Sequence, residues 1–334
     1  MTAPDAAREL TGRRLTVQLS PSAVVIAVVA VAALLLGATQ GWEDLGQTTI
    51  HGLVSGSYFA LGAAGLTLVF GVLKLVNFAH GEFLTFGAYM VIVGGTFLEL
   101  PFAARLVFAV VATAVLGVFL ELAIWRPMRR KGAGVLQLLL MALGLAFVIR
   151  NVIQLIAGTD VRRMGSNVTS SVTFGPLHVG RTELWATLLG FATLLGLALL
   201  LRYTSLGKQI RALSDNPELA ETTGINTERI IIVTWLVAGG LAGLSGVIYG
   251  ASVGVFTPNL GFGIVLSLFA SVIVGGIGNA YGALAGGIVI GLAQEWSTLV
   301  LPVNIKVAVG FVVMILVLIL RPQGIFGRAR SLER

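Results

Sequence analysis

The segment Ser214-Asp-Asn-Pro-Glu-Leu-Ala-Glu-Thr-Thr-Gly-Ile-Asn226 carries the clearest signal for a water-soluble helix between two long apolar runs. Pro217 suits the first position of a helix, where its missing N–H is not needed. Asn216 is pushed out of the α region by the proline and can cap the helix with its side-chain oxygen. Glu218 lies in the first turn, where the helix dipole favours a carboxylate, and Gly224 can adopt the left-handed conformation that ends a helix. The pattern predicts one short capped helix, which is either an ordered loop or a docking element for a partner.

Composition places the chain in a membrane. Of its 334 residues, 56% are hydrophobic and only 11% are charged, whereas soluble domains carry about 25% charged residues. The chain has no cysteine, which excludes disulfides, thiol nucleophiles and thiolate metal sites. Its three histidines lie too far apart in sequence to suggest a metal site. We therefore expect an all-α, polytopic membrane protein without a metal centre.

Ten apolar runs approach the roughly 20 residues that a helix needs to cross the hydrocarbon core. They are 22–39, 50–73, 83–99, 103–124, 135–157, 184–201, 230–252, 262–279, 282–300 and 304–320. The first run follows a basic segment, as in a signal peptide, but is long for one and is interpreted as a retained span. The run at 262–279 is broken by glycine and either spans or re-enters. The tryptophans lie near predicted span ends, where rings with one polar edge are common.

Lysine and arginine indicate the orientation. With the N-terminus inside and ten spans, 16 of the 22 basic residues fall on the cytoplasmic side and six, Arg150 among them, on the outer side. This predicts a basic cytoplasmic tail at 1–21, a transmembrane domain at 22–320 and a cytoplasmic tail at 321–334. Loop 202–229, with the capped helix, is then cytoplasmic. Loop 158–183 is external, and its alternating Val168-Thr-Ser-Ser-Val-Thr-Phe174 run predicts a short strand or hairpin.

Glycines at four-residue spacing inside the runs predict close helix packing. The segment Gly275-Gly-Ile-Gly-Asn-Ala-Tyr-Gly282 adds an asparagine between two apolar runs. Two interpretations stay open for it: unwound backbone that lines a cavity, or a tight inner turn between two spans. As candidates for the lining we take Gly275, Gly276, Gly278 and Asn279.

Asn77-Phe-Ala-His-Gly-Glu82 is the most polar cluster with a predicted span on each side. Ionisable groups within a bilayer are costly and are functional candidates. The spacing puts the cluster near the inner ends of the second and third spans, as a polar turn or as pathway lining by Asn77, His80 and Glu82. His80 and Glu82 could pair with each other or cap the third span. Other polar residues near span ends are expected to reach the interface or to pair there; they are Glu121, Arg150, Asn151, Gln154 and Glu295.

Four ordered motifs resemble the LivH-type permease of bacterial ABC importers for branched-chain amino acids, over about residues 47–327. They are Asn77-Phe-Ala-His-Gly-Glu82, Ala220-x-x-x-Gly224-Ile-Asn226, Gly275-Gly-Ile-Gly278 with Gly282 following, and Arg321-Pro-Gln-Gly324. The fuller Glu-Ala-Ala pattern that other importers have in the coupling loop is absent here. Similar permeases also serve urea, short amides and other amino acids.

The resemblance implies a subunit of the bacterial cytoplasmic (inner) membrane. Its expected partners are a second, LivM-like permease, two cytoplasmic ATPase subunits and an extracytoplasmic substrate-binding protein. It implies no cofactor in this chain, since ATP and Mg would bind to the ATPases, and the chain itself lacks a P-loop motif. The residues implied in ATPase coupling are Pro217, Glu218, Ala220, Glu221, Gly224, Ile225 and Asn226.

Two other classes of protein fit the sequence less well. An ion-coupled secondary transporter is expected to carry a carboxylate in the middle of a span, and the sequence places none there. An intramembrane enzyme needs a nucleophile with a base, or clustered metal ligands, and the sequence offers no convincing set. We therefore expect a transport subunit and not an enzyme, with loop 158–183 as a candidate contact for the binding protein.

Overall fold

The structure is a computed structural model that describes residues 21–164 and 171–327. The predicted N-terminal tail and the end of the C-terminal tail lie outside these residues. The described chain forms thirteen α-helices: α1 Pro21–Gln40, α2 Trp42–Leu73, α3 His80–Thr96, α4 Phe102–Leu120, α5 Arg126–Arg130, α6 Val135–Ala157, α7 Arg181–Tyr203, α8 Ser205–Asp215, α9 Pro217–Thr222, α10 Thr227–Val253, α11 Leu260–Gly275, α12 Ala280–Ser297 and α13 Lys306–Leu320. It also forms four short strands: β1 Arg162–Arg163, β2 Ser171–Phe174, β3 Leu177–Gly180 and β4 Val255–Phe256.

Each of the ten predicted runs corresponds to one helix, of 15 to 32 residues. Six helical stretches in the described chain are long and apolar enough to cross a membrane: α2, α4 with its extension through α5, α6, α7, α10, and Val303–Leu320, which contains α13. The chain is therefore a largely helical membrane protein. Helices α3 and α11, of 17 and 16 residues, are shorter than the usual span.

Helix α2 forms the centre of the bundle. It packs against α3, α10, α11 and α12, and its most apolar stretch is 89% buried, against 22% for α6. The contact of α2 with α12 depends on glycine, since a Cβ at Gly56 would lie 2.9 Å from Ile288 Cα and one at Gly291 would lie 2.5 Å from Gly56 Cα. Lipid supplies no hydrophobic drive for helices to associate, so this close backbone approach stabilises the bundle. The predicted packing role of these glycines is confirmed.

Loop 158–183 forms the predicted hairpin, in which β2 pairs antiparallel with β3. Residues 165–170, where the predicted strand begins, lie outside the described residues. The Gln47 side chain at the start of α2 fixes the hairpin by donating to the His178 carbonyl oxygen at 2.7 Å and accepting from the His178 N–H at 3.0 Å. Strand β1 pairs with β4 at the end of α10, which ties the same loop to a second part of the bundle.

The segment between α11 and α12 is a tight turn. Asn279 caps α12 by accepting from the Tyr281 and Gly282 N–H groups. The chain after α13 then packs beneath it, with the Ile325 N–H donating to the Val274 carbonyl oxygen at 2.9 Å. This geometry matches the turn interpretation of Gly275–Gly282.

Candidate functional site

The chain between α2 and α3 turns back into the helix bundle. His80 Nε2 donates to the Gly62 carbonyl oxygen at 3.0 Å, and Gly62 lies about 16 Å along the α2 axis from Leu73, at a helical rise of 1.5 Å per residue. His80 itself is fully buried. Helix α3 thus begins inside the bundle, beside the middle part of α2 and not at the C-terminal end of that helix. The prediction that Asn77–Glu82 lies near the inner span ends is wrong, because residues 74–79 climb back along α2.

Glu82 is paired at this depth with Arg150 of α6. Its Oε1 accepts from Arg150 Nη2 at 2.8 Å and from Nε at 3.1 Å. Both side chains are nearly excluded from solvent, at 2% and 11% exposure. Of the two alternatives for His80 and Glu82, the pairing with each other is therefore wrong, because Glu82 pairs with Arg150. The pair also supplies the deep carboxylate that sequence reasoning did not find.

A hydrogen-bond chain extends this pair to α11. Thr85 Oγ1 donates to Glu82 Oε2 at 3.3 Å and accepts from the Gly261 N–H at 2.9 Å. The first turns of α3 and α11 touch through glycine, since a Cβ at Gly261 would lie 1.9 Å from the Gly81 carbonyl oxygen. Two helix N-termini, each carrying partial positive charge, therefore meet beside the Glu82 carboxylate.

Two polar atoms in this cluster have no hydrogen-bond partner among the described residues: Asn77 Nδ2 and His80 Nδ1. Asn77 Oδ1 accepts from the Ala79 N–H at 3.1 Å and so shapes the turn that starts α3. Both residues are fully buried. Orphaned buried polar atoms cost free energy and call for an explanation, which makes this cluster the strongest candidate site in the described part of the chain.

A second buried carboxylate lies at the far end of α4. Glu121 accepts from the Trp235 indole N–H at 2.8 Å and from both terminal nitrogens of Arg129. Trp125 stacks on Trp235 with ring centroids 6.3 Å apart, and both rings are fully buried. The expectation that these two tryptophans present a polar edge to an interface is wrong, because both rings are buried inside the bundle. Glu121 accepts from the Trp235 indole, whereas Trp125 Nε1 has no hydrogen-bond partner among the described residues.

The polar residues near span ends were expected either to reach the interface or to pair, and most of them pair. Lys306 donates to Glu295 at 2.7 Å, and Gln154 donates to Asn259 at 3.3 Å. Glu228, at the start of α10, joins Arg126 and Arg130 beside Glu121, and this group borders a cavity of about 250 Å³. The ends of α4 and α10 are thereby held together.

Four lining candidates lie away from the Glu82–Arg150 cluster. They are Gly275, Gly276, Gly278 and Asn279. Gly261 and Gly275 stand at opposite ends of α11, about 21 Å apart along its axis. Gly276 contacts the segment after α13, where its Cβ would lie 2.7 Å from Gly327 N. The structure thus divides the sequence-derived pathway residues into two separate places.

The capped helix has the predicted features. Asn216 Oδ1 accepts from the Leu219 N–H at 3.0 Å, Pro217 occupies the first turn, and Gly224 has a φ of +84°. Of the coupling candidates, Ala220 is buried, Ile225 is half-buried, and the rest are exposed. Sequence reasoning missed Leu219, an apolar side chain 61% exposed at the middle of α9. The sequence could have indicated its exposure, because Leu219 lies between Glu218 and Glu221 on a capped helix.

Preceding α9 is α8, which sequence reasoning also missed. Thr204 caps it by accepting from the Gly207 N–H at 3.1 Å, and it buries Ile210 and Leu213 against the bundle. Lys74 at the end of α2 donates to the Ser214 carbonyl oxygen at 3.0 Å. Helix α9 therefore contacts α8, which is hydrogen-bonded to the end of the central helix α2.

The chain is thus a helical membrane protein with a buried ion pair and an exposed capped helix, an architecture that suits a membrane transport component. The family described as "Branched-chain amino acid transport system / permease component" matches residues 48–318. The chain belongs to this family.

Three relatives illustrate the similarity. The high-affinity branched-chain amino acid permease protein LivH of Escherichia coli K12 is 32% identical over 301 residues, covering 84% of this chain and 95% of LivH. BraD of Pseudomonas aeruginosa is 30% identical over 295 residues, covering 84% of this chain and 95% of BraD. The probable LivH of Methanocaldococcus jannaschii is 31% identical over 307 residues, covering 85% of this chain and 94% of that protein. No solved structure matches the chain.

Proposed function

We propose that this chain is the membrane-spanning permease subunit of an ABC importer for branched-chain amino acids in the cytoplasmic membrane. The observation that carries the proposal is the family match over residues 48–318, together with relatives aligned over nearly their whole length. The proposed partners are a second, LivM-like permease, two ATPases and a substrate-binding protein. ATP and Mg bind to the ATPases, and this chain performs no bond chemistry.

Helix α9 is proposed as the contact for one ATPase. A six-residue helix has little stability alone, yet this one is capped at both ends and rests on α8, which ties it to α2. The exposed Leu219 suits an apolar pocket of a partner, flanked by Glu218 and Glu221. Arg126 and Arg130 bind Glu228, which follows α9 by only a few residues. A push on α9 therefore reaches both α10 and the end of α4.

The proposed pathway runs beside the Glu82 cluster. Ionisable residues at membrane depth mark substrate routes, and helix N-termini at mid-depth supply partial charges for polar ligands. Here Asn77, His80 and Glu82 stand near the first turns of α3 and α11. Gly275, Gly276, Gly278 and Asn279 belong to the proposed inner end of the same route, beside the chain that follows α13.

The test is binding-protein-dependent leucine uptake into proteoliposomes that contain this chain, the second permease and both ATPases. We expect uptake to require ATP inside and the binding protein outside. Absence of such uptake by the wild-type assembly, with all subunits present, would overturn the proposed function.

The coupling role has its own variants. Leu219→Asp, Gly224→Pro and Glu221→Arg should leave membrane insertion intact but lower co-purification of the ATPases and leucine-stimulated ATP hydrolysis. Leu98→Asp is the matched control, because Leu98 is also an exposed leucine, at 50%, in the loop before α4. Co-purification of a Leu219→Asp variant with a fully active ATPase pair would contradict the assignment of α9.

A secondary transporter is the second candidate, and the buried Glu82 is the observation that favours it. Its uptake would proceed without the ATPases and would stop when an ionophore dissipates the ion gradient. Within the same family, urea, short amides and other amino acids are alternative substrates. Competition of each against labelled leucine in the uptake assay separates them.

A further inference from the structure

We propose that the Glu82–Arg150 pair is a charge-pair gate that opens for a zwitterion. When the pair separates, Glu82 takes the ammonium group of the substrate and Arg150 takes its carboxylate. This inference rests on the proposed function, since it names the groups that handle the amino acid inside the permease.

The first step in the argument is the position of the pair. It joins α3 to α6 inside the helix bundle, and it is nearly excluded from solvent. Replacing such a pair by apolar side chains is often neutral or stabilising, so a buried pair is weak evidence for a role in stability alone. An ion pair within the membrane-spanning helices instead marks a position on the route of a charged or polar substrate.

The second step is the loose attachment of α6. Its most apolar stretch is only 22% buried, against 89% for α2, and Leu140, Phe147 and Val152 are exposed. Within the described chain, side chains of α6 form hydrogen bonds to other parts of the bundle through Arg150 with Glu82 and through Gln154 with Asn259. Movement of α6 away from α3 therefore separates one apolar face, which includes the buried Ala142, Leu145 and Ile149, and breaks the ion pair.

The third step is charge balance. Separation of the pair leaves one carboxylate and one guanidinium without compensation in a medium of low dielectric constant, which is strongly unfavourable. An amino acid supplies both opposite charges a few bonds apart, so it converts one ion pair into two. A single inorganic ion compensates only one side. The gate thus favours zwitterions and resists ion leakage.

The fourth step is the fit of the surroundings. Arg150 lies over the ring of Phe262 at 4.3 Å and near that of Phe147 at 5.3 Å. Its planar fork binds a carboxylate through two parallel hydrogen bonds. Phe262 is 56% exposed and offers an apolar wall for an aliphatic side chain. The unpartnered Asn77 Nδ2 and His80 Nδ1 stand on the Glu82 side as further polar contacts.

The experiment measures leucine transported per ATP hydrolysed in the complete reconstituted importer. The double variant Glu82→Gln with Arg150→Met removes both charges at once, so neither charge is left unpaired. We expect ATP hydrolysis stimulated by the loaded binding protein to persist, while leucine per ATP falls by about tenfold or more, since charge-assisted contacts to the substrate are lost. A role in structure alone lowers hydrolysis and transport together.

The matched control removes another ion pair by Glu295→Gln with Lys306→Met, a pair of 2.7 Å between α12 and α13. It should retain the wild-type ratio. A wild-type ratio in the Glu82/Arg150 double variant would overturn the gate.

If that double variant fails to elute as a single folded species, Glu82→Asp and Arg150→Lys take its place. They keep the charges but shift or remove the paired geometry, and leucine per ATP should fall several-fold in each. Wild-type ratios in both would also overturn the gate. Failure of the proposed function is distinct, since the wild-type importer would then show no ATP-driven leucine uptake.

Discussion

Glu121 shows how one buried carboxylate organises its neighbours. It is only 2% exposed and accepts from Trp235 and Arg129, on two different helices. We expect Trp235→Phe to lower the free energy of unfolding by about 1–3 kcal/mol, because a buried charge loses a hydrogen-bond donor. Thermal unfolding in detergent measures this change. Glu43→Gln, at an exposed position on α2, is the control, and an equal loss in both variants would contradict the role of Glu121.

Gly246 is a residue at which the bundle has no room for a side chain. A Cβ there would lie 1.9 Å from the Leu84 carbonyl oxygen, so α10 and α3 would have to move apart. Gly196 on α7 is also helical, yet a Cβ there meets nothing within 4 Å. We expect Gly246→Ala to lower the unfolding temperature and Gly196→Ala to leave it unchanged or slightly raised. Fluorescence-detected size exclusion after heating measures both, and equal behaviour of the two variants would refute the packing argument.

At the scale of elements, the helices of the bundle were predictable and the start of α3 was not. Apolar runs report how long a helix is, because each residue contributes to hydropathy independently of its neighbours. They do not report that residues 74–79 climb back along α2, since that path depends on the His80 contact with Gly62. The deep site was therefore recognised as a polar motif but placed at the wrong depth.

The partner of Glu82 was hidden for the same reason. Arg150 is separated from Glu82 by 68 residues. Its position close to the end of the apolar run 135–157 suggested a residue at the membrane interface. Pairing across helices is decided by packing, which a single sequence does not encode locally. By contrast, the caps of α9 involve residues a few positions apart, so Asn216, Pro217 and Gly224 could be assigned from the sequence.

The N-cap of α9 carries a prediction of its own. Asn216→Ala removes the side-chain acceptor for the Leu219 N–H and should cost about 1 kcal/mol, enough to fray a six-residue helix. We expect faster hydrogen exchange confined to 216–226 and weaker ATPase retention, with unchanged insertion. Asn304→Ala, in the exposed turn before α13, serves as the control. Unchanged exchange in 216–226 would count against the cap.

At the scale of the whole molecule, the described helices form one bundle around α2, and its two ends differ in character. One end carries the β2–β3 hairpin and the β1–β4 pair. The other carries α8, α9, the basic residues of α5 and the turn before α12. The excess of lysine and arginine predicts that this second end faces the cytoplasm. The importer mechanism depends on that orientation, because ATP is hydrolysed on the cytoplasmic side.

The chain itself makes this orientation testable, since it has no native cysteine to remove. Glu221→Cys places a thiol on exposed α9, and Thr173→Cys places one on exposed β2. With a maleimide that cannot cross membranes, we expect intact cells to label Thr173→Cys alone and permeabilised cells to label both. Labelling of Glu221→Cys in intact cells would put α9 outside, where no ATPase could reach it. An ATPase could then not move α9, and the proposed coupling through Glu228 to α4 and α10 would be excluded.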